Sequence, residues 1–307
     1  MWTDAPLTRE SLALPEPCVD YPALESFLDH EFDGVPGIAR EFPLLVGVRN
    51  PGRSLVQREQ GAIVSHAAWK PVELVAGQRR LSAAGIGLVT TAAGQRGRGL
   101  ATRVISSCLE AALREGMDLA VLFGTPSALY TRLGFVAAGR ERVVQVPLES
   151  GTPTAGIRCG GPEDAARLLP LLESHLLRVS RSAEDFAALL EIPETRLYQL
   201  ECGGRPEAYC VVGKGRDLGG VVHEWAGAPV AVAALLRGVA ALQARPLPVI
   251  GPEALAAPAA GESRLGPLAM FRVLRPESLG SDDPVELFGD PETPARLPIY
   301  IWGLDSI

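Results

Sequence analysis

The chain has 307 residues, a hydrophobic content of 47% and a formal net charge of −7. That length exceeds one ordinary small domain, so two are expected; the acidic balance disfavours a nucleic-acid-binding surface and is compatible with cationic substrates. Apolar runs are too short and interrupted for a membrane span, and the acidic, proline-bearing residues 1–17 are unlike a secretion signal, so a cytoplasmic protein is expected.

Taken in order, residues 21–32 carry Leu24, Phe27, Leu28 and Phe32 at helical spacing. Residues 42–48 read as a short strand, and Asn50-Pro51-Gly52 as a turn. Residues 55–58 and 62–69 read as a hairpin, and a second hairpin turning at Gly77-Gln78 leads into a strand ending at Val89-Thr90-Thr91. A helix over 100–115 places Leu100, Val104, Cys108 and Ala112 on one face, with Gly116 as its stop. Residues 118–123 form a nearly all-apolar strand, as a central buried position requires. A short helix over 126–133 and a strand over 135–146 complete this half.

Residues 149–153 read as a linker. Beyond it the pattern gives a strand at 156–159, helices at 163–178 and 183–190, strands at 197–202, 207–212 and 220–225, a helix at 229–242 and a strand at 247–250. This order resembles that of the first half, without its glycine turn. Residues 251–296 are rich in proline, glycine and acids, with a short strand at 269–274, while 297–307 are apolar almost throughout and are expected to be docked. Five scattered cysteines with no C-x-x-C pair point to free thiols. Four histidines without ligand spacing imply no metal site. Of the 29 basic residues only Lys70 and Lys214 are lysines, which we read as genome base composition.

The most informative stretch is Arg96-Gly97-Arg98-Gly99-Leu100-Ala101-Thr102, set between a strand and a helix. Unpaired amides at a helix start, together with the helix dipole, bind phosphates, and Gly97 and Gly99 allow close approach. A nucleotide-hydrolysing loop would need Gly-Lys-Ser/Thr, whereas Gly99 is followed by Leu100. A dinucleotide-binding turn would need a third glycine and a carboxylate closing the next strand. Neither is present. The turn matches R/Q-x-x-G-x-G/A instead, and Tyr130-Thr131-Arg132-Leu133-Gly134-Phe135 matches Y-x-x-x-G-F about thirty residues on.

Over roughly residues 40–145 this combination resembles the GNAT superfamily of N-acetyltransferases. The resemblance implies an α/β (α+β) mixed-sheet fold: a catalytic GNAT domain at 1–148, a degenerate GNAT-like domain at 154–250 and an extension at 251–307 packing back on the first. It also implies acetyl-CoA as co-substrate, with no metal, and a small-molecule amine or an exposed protein amine as acceptor. The main chain at Val89, Thr90 and Thr91 would lie along the pantetheine arm, and Arg96 through Thr102 would hold the pyrophosphate. Tyr130 would be the general acid that protonates the thiolate, since a phenol titrating near about 10 keeps its proton at neutral pH. For the base there are two candidates: His66, on a strand near the expected cleft, and the terminal carboxylate of Ile307, as in tandem acetyltransferases of the enhanced-intracellular-survival type. A non-catalytic acyl-CoA sensor would keep the turn but would need no Tyr130.

Overall fold

The computed structural model describes residues 14–32, 36–253 and 263–306. The first half builds β1 (Glu16–Pro17), α1 (Tyr21–Glu31), β2 (Ser54–Glu59), β3 (Ala62–Ala76), β4 (Arg79–Thr91), α2 (Leu100–Arg114), β5 (Leu119–Leu122), α3 (Ala128–Arg132) and β6 (Val136–Ala138). Helix α1 starts where Asp20 accepts from the Ala23 amide at 3.1 Å, and it buries Leu24 and Leu28. Helix α2 buries the predicted stripe, Leu100, Val104, Cys108 and Ala112, together with Ile105 and Leu109, against β3 and β4. Strands β3 and β4 form a long hairpin whose pairing runs from Ala76↔Arg79 to Ser65↔Thr91.

The strand expected over 42–48 is instead a run of turns behind a short 3₁₀ helix at Ile38–Glu41. Pro43 has no amide for a ladder, and the amides of Leu45 and Val46 fold back onto the Phe42 carbonyl at 3.0 and 3.2 Å. Leu45 and Val46 are buried by packing with α1, β2 and β4 residues, not by sheet pairing.

The second half continues with β7 (Glu141–Val146), β8 (Ile157–Gly160), α4 (Ala165–Glu173), β9 (Leu177–Val179) and α5 (Ala183–Leu190). There follow β10 (Arg196–Cys202), β11 (Arg205–Val212), β12 (Val222–Gly227), α6 (Pro229–Leu242), β13 (Leu247–Pro252), β14 (Arg264–Gly266), β15 (Ala269–Val273), α7 (Pro276–Leu279) and α8 (Pro284–Phe288). The helix expected over 163–178 stops at Glu173, and its last residues form β9, which pairs with the far end of β3.

The elements make two mixed sheets, in the orders β1-β2-β3-β4-β5-β15-β6 and β14-β7-β13-β12-β11-β10-β8. Sheet membership does not follow the chain segments. The single strand expected over 135–146 is two: β6 stays in the first sheet, and β7 crosses into the second beside β13. In return β15 enters the first sheet between β5 and β6, antiparallel to both. Gly139 sits at this crossover with φ +75°, where an added Cβ would lie 2.8 Å from the Leu268 side chain; only glycine fits there without displacement.

One apolar core spans both sheets, joining Leu74 and Leu81 of the β3–β4 hairpin to Tyr209 and Val211 of β11. The segment 297–306 is threaded through it, with Tyr300, Trp302 and Leu304 each at most 1% exposed. Trp302 Nε1 donates to the Leu177 carbonyl at 3.2 Å. Among the described residues no helix is long and apolar enough to cross a membrane.

Candidate active site

Two features of β4 shape the site. Its parallel pairing with β5 is confined to Ala83, Ala84 and Gly85 against Leu119, Ala120 and Val121, so the strands part beyond that point. Against β3, His66 pairs with Thr90 and Ala68 with Gly87, which leaves Leu88 and Val89 both facing Ala67. This is a β-bulge. Leu88 takes φ +49°, in the left-handed region a leucine seldom enters.

His66 supports the bulge from beneath. It is fully buried, and its Nδ1 lies 2.8 Å from the Leu88 carbonyl. A carbonyl only accepts, so Nδ1 carries the hydrogen and Nε2 is bare; Nε2 has no partner among the described residues. Burial holds the ring neutral, with a pKa pushed down to about 4. The expected cleft-facing base is therefore corrected: His66 lines neither cavity described below, because the β3 pleat turns it into the sheet's packing layer.

At the end of β4 a groove of about 380 Å³ runs past the glycine turn. All but one of the residues expected to hold the cofactor line it: Val89, Thr90 and Thr91 on β4, and Arg96, Gly97, Gly99, Leu100, Ala101 and Thr102 around the start of α2. Gly99 is the N-cap, in the left-handed conformation with φ 77°, and offers no capping side chain. The first helical amide with a backbone partner is that of Arg103, on the Gly99 carbonyl at 3.1 Å. The amides of Leu100, Ala101 and Thr102 therefore have no backbone partner among the described residues and stand as donors at the positive end of the helix. Arg96 Nε donates to the Thr91 carbonyl at 3.2 Å, tying the turn to the strand. Arg98 is the exception: it turns away to an ion pair with Glu59 at 2.7 Å and does not line the groove.

A second cavity, of about 510 Å³, occupies the gap between the parted strands. Gly87, Leu88 and Val89 form one wall, Leu122, Phe123 and Gly124 the other, and the second half of the chain closes it with Arg216, Leu218, Ile250 and Ile301. Val89 and Tyr130 border both cavities. Tyr130 stands on α3, half-buried, with its ring edge-on to Phe135 at 6.3 Å. Burial raises the phenol's pKa, so it stays protonated at neutral pH, and its hydroxyl bonds to no described residue.

Buried groups that no sequence motif announces hold the terminal segment, of which Ile301, Gly303 and Ser306 line this cavity. Arg181 is buried with Glu224 and Asp305, reaching Glu224 Oε1 at 2.9 Å and both Asp305 oxygens at 3.0 Å. Tyr209 donates to Glu224 at 2.9 Å. Lys214 Nζ donates to the Gly303 carbonyl and the Ser306 hydroxyl, each at 3.0 Å, while burial and the charge of Lys70 bring it down to about 7. These contacts fix Gly303 and Ser306 on the cavity wall. Ile307, the expected terminal carboxylate, lies outside the described residues. Glu141, at the start of β7, also lines the cavity. His223 is buried with Nε2 on the Gly213 carbonyl at 2.8 Å, a structural role as its lack of a cofactor turn suggests. Among the described residues no cluster of three or more His, Cys, Asp or Glu side chains has a metal-binding arrangement.

Residues 29–138 match the family model described as an acetyltransferase (GNAT) domain. Solved structures similar to the chain include a GCN5-related N-acetyltransferase from Kribbella flavida, with 22% identity, a TM-score of 0.59, and 75% of this chain and 63% of that one covered. Eis1 from Mycobacterium abscessus is 19% identical, with a TM-score of 0.57, and 84% and 72% covered. A probable N-acyltransferase from Enterococcus faecalis is 15% identical, with a TM-score of 0.64, and 85% and 71% covered. The chain thus spans less than two thirds of the length of the Kribbella protein. No curated protein sequence matches it. The stretch 29–138 that matches the acetyltransferase (GNAT) domain model contains the parted β4 and β5 and the glycine turn at the head of α2.

Proposed function

We propose that the protein is an acetyl-CoA-dependent N-acetyltransferase in which the amine attacks the thioester directly. The observation that carries this reading is that the phosphate-suited groove and the cavity between the sheets meet at Val89 and Tyr130. Acetyl-CoA would set its pyrophosphate on the amides of Leu100, Ala101 and Thr102 and run its pantetheine arm along 89–91, as an added strand would. Arg96 and the glycines Gly97 and Gly99 would flank the diphosphate. One amide of this strand end would polarise the thioester carbonyl; oxyanion donors of that kind are worth about 10²–10³ in rate.

Tyr130 would give its proton to the departing thiolate. Of the two base candidates, burial leaves His66 as a support of the bulge, and the terminal carboxylate of Ile307 stays as the proposed proton acceptor. Its support is that Ser306, the preceding residue, lines the cavity. The residues at 1–148 would supply the cofactor site, those at 154–250 a degenerate partner shaping the acceptor cavity, and 251–307 a segment returning to the first unit. The acceptor is a small amine or an exposed protein amine.

The test is calorimetric titration of coenzyme A and acetyl-CoA, followed by an amine-panel assay for thiol release. Saturable binding with amine-dependent release of coenzyme A is expected. Binding without turnover on any amine would favour an acyl-CoA sensor, and no binding would remove the proposal.

A further inference from the structure

The cavity between the sheets carries four ionisable side chains besides Tyr130: Glu41, Glu141, Arg216 and Asp217. Glu41 and Arg216 satisfy each other, with Arg216 Nε on Glu41 Oε1 at 2.7 Å and the Arg216 amide on Oε2 at 2.8 Å. Asp217 is exposed. Glu141 differs from all of these. It is half-buried, and its one hydrogen bond among the described residues comes from the Tyr300 hydroxyl at 3.2 Å.

No described cation faces it. Arg140 is held in an ion pair by Glu253, and Arg142 by the Glu253 carbonyl at 2.9 Å and the Ser263 hydroxyl at 3.0 Å. Tyr300 is 1% exposed, so the donor that aims Glu141 is itself fixed in the core. Apolar side chains, Phe42, Phe123, Leu268 and Ile301 among them, line much of the same cavity. Burial without a counter-ion pushes Glu141 up to about 7, and the Tyr300 bond only partly opposes this. A carboxylate so placed gains most from a ligand that brings its own positive charge.

We propose that Glu141 is the specificity-determining carboxylate of the acceptor cavity, receiving a protonated amino group carried on an aromatic or branched apolar frame that fills the remaining space. The inference rests on the acetyl-transfer reading for the identity of the cavity. It concerns recognition and adds no step to the transfer. Strand crossing is what places the residue there: β7 pairs with β13 in the second sheet while β6 stays in the first, and the start of β7 carries Glu141 into the cavity lining.

The sign of the pH effect follows. Below about 7 Glu141 holds a proton and offers no charge; as the pH rises through that value it ionises and attracts the ammonium. The test titrates 2-phenylethylamine and its neutral counterpart 2-phenylethanol into the full chain, with and without saturating coenzyme A, at pH 6 and pH 8. The wild type is expected to bind the amine about ten-fold more tightly at the higher pH, with the alcohol indifferent to pH. Glu141→Gln should abolish both the amine preference and its pH dependence while leaving coenzyme A affinity unchanged. Tyr300→Phe, which removes the one donor, should move the transition to higher pH. Equal affinity for amine and alcohol, a preference that survives Glu141→Gln, or binding of neither probe overturns the inference. Failure of coenzyme A to bind defeats the acetyl-transfer reading instead, and the amine–alcohol comparison on the free protein still judges Glu141.

Discussion

Replacing Arg181 by methionine is the sharpest test of how the terminal segment is held. The guanidinium is 2% exposed, and its carboxylate partners Glu224 and Asp305 are 0% and 2% exposed. It makes five charge-assisted hydrogen bonds, three to Asp305 and two to Glu224. Methionine fills much of the volume but leaves two carboxylates buried without their cation. Breaking a buried pair in this way costs about 3–5 kcal/mol, whereas an exposed pair is worth about 0–1 kcal/mol. At about 2–4 °C per kcal/mol for a chain of roughly this size, a loss of about 4 kcal/mol lowers the melting temperature by about 8–16 °C. Asp305→Asn should cost less, because Glu224 still neutralises Arg181. Thermal unfolding at pH 7.5, followed by circular dichroism and by tryptophan fluorescence, measures both variants. Trp302 reports on the terminal segment itself. A fall of less than about 4 °C for Arg181→Met, the value of a surface pair, would refute the claim that this network clasps the terminal segment through Asp305.

Tyr130→Phe should lower turnover by about ten-fold or more with coenzyme A binding nearly intact; unchanged turnover, under conditions where single-turnover kinetics show chemistry to be limiting, would remove the general-acid role. Deleting Ser306 and Ile307 should cripple catalysis while the melting temperature stays within a few degrees, since the Arg181 clasp lies upstream; full activity in the shortened protein would exclude a terminal base. His66 gives a stability effect with a defined sign. Its folded pKa of about 4 lies below the ordinary value of 6.5, so its contribution is complete above the latter and is lost as the pH falls towards the former. Between pH 7.5 and pH 5 that amounts to about 2 kcal/mol. His66→Leu should therefore show a shallower acid slope in denaturant titrations, and an unchanged slope would mean the ring is already hydrated or charged.

The groove at the glycine turn was legible because its parts are contiguous. A strand end, two glycines and a helix start lie within residues 89–102, and local sterics and the helix dipole fix their geometry whatever the rest of the chain does. The amphipathic stripe of α2 was readable for the same reason. The 42–48 segment misled because apolar residues record burial and not the partner that buries them; Pro43 and the backbone bonds to Phe42 decide for turns.

What the amino-acid order alone determined, then, is the phosphate-suited turn, the tyrosine after it and most of the elements in each half. Tertiary structure decided which sheet each strand joins, because β7 and β15 are both short strands and only long-range pairing selects their neighbours. It also assembled the charge clasp on the terminal segment and the setting of Glu141. Arg181 meets Glu224 and Asp305 across 43 and 124 positions of sequence, and Tyr300 reaches Glu141 across 159. No local spacing encodes such meetings; they arise where packing of the two sheets brings distant charges out of water together.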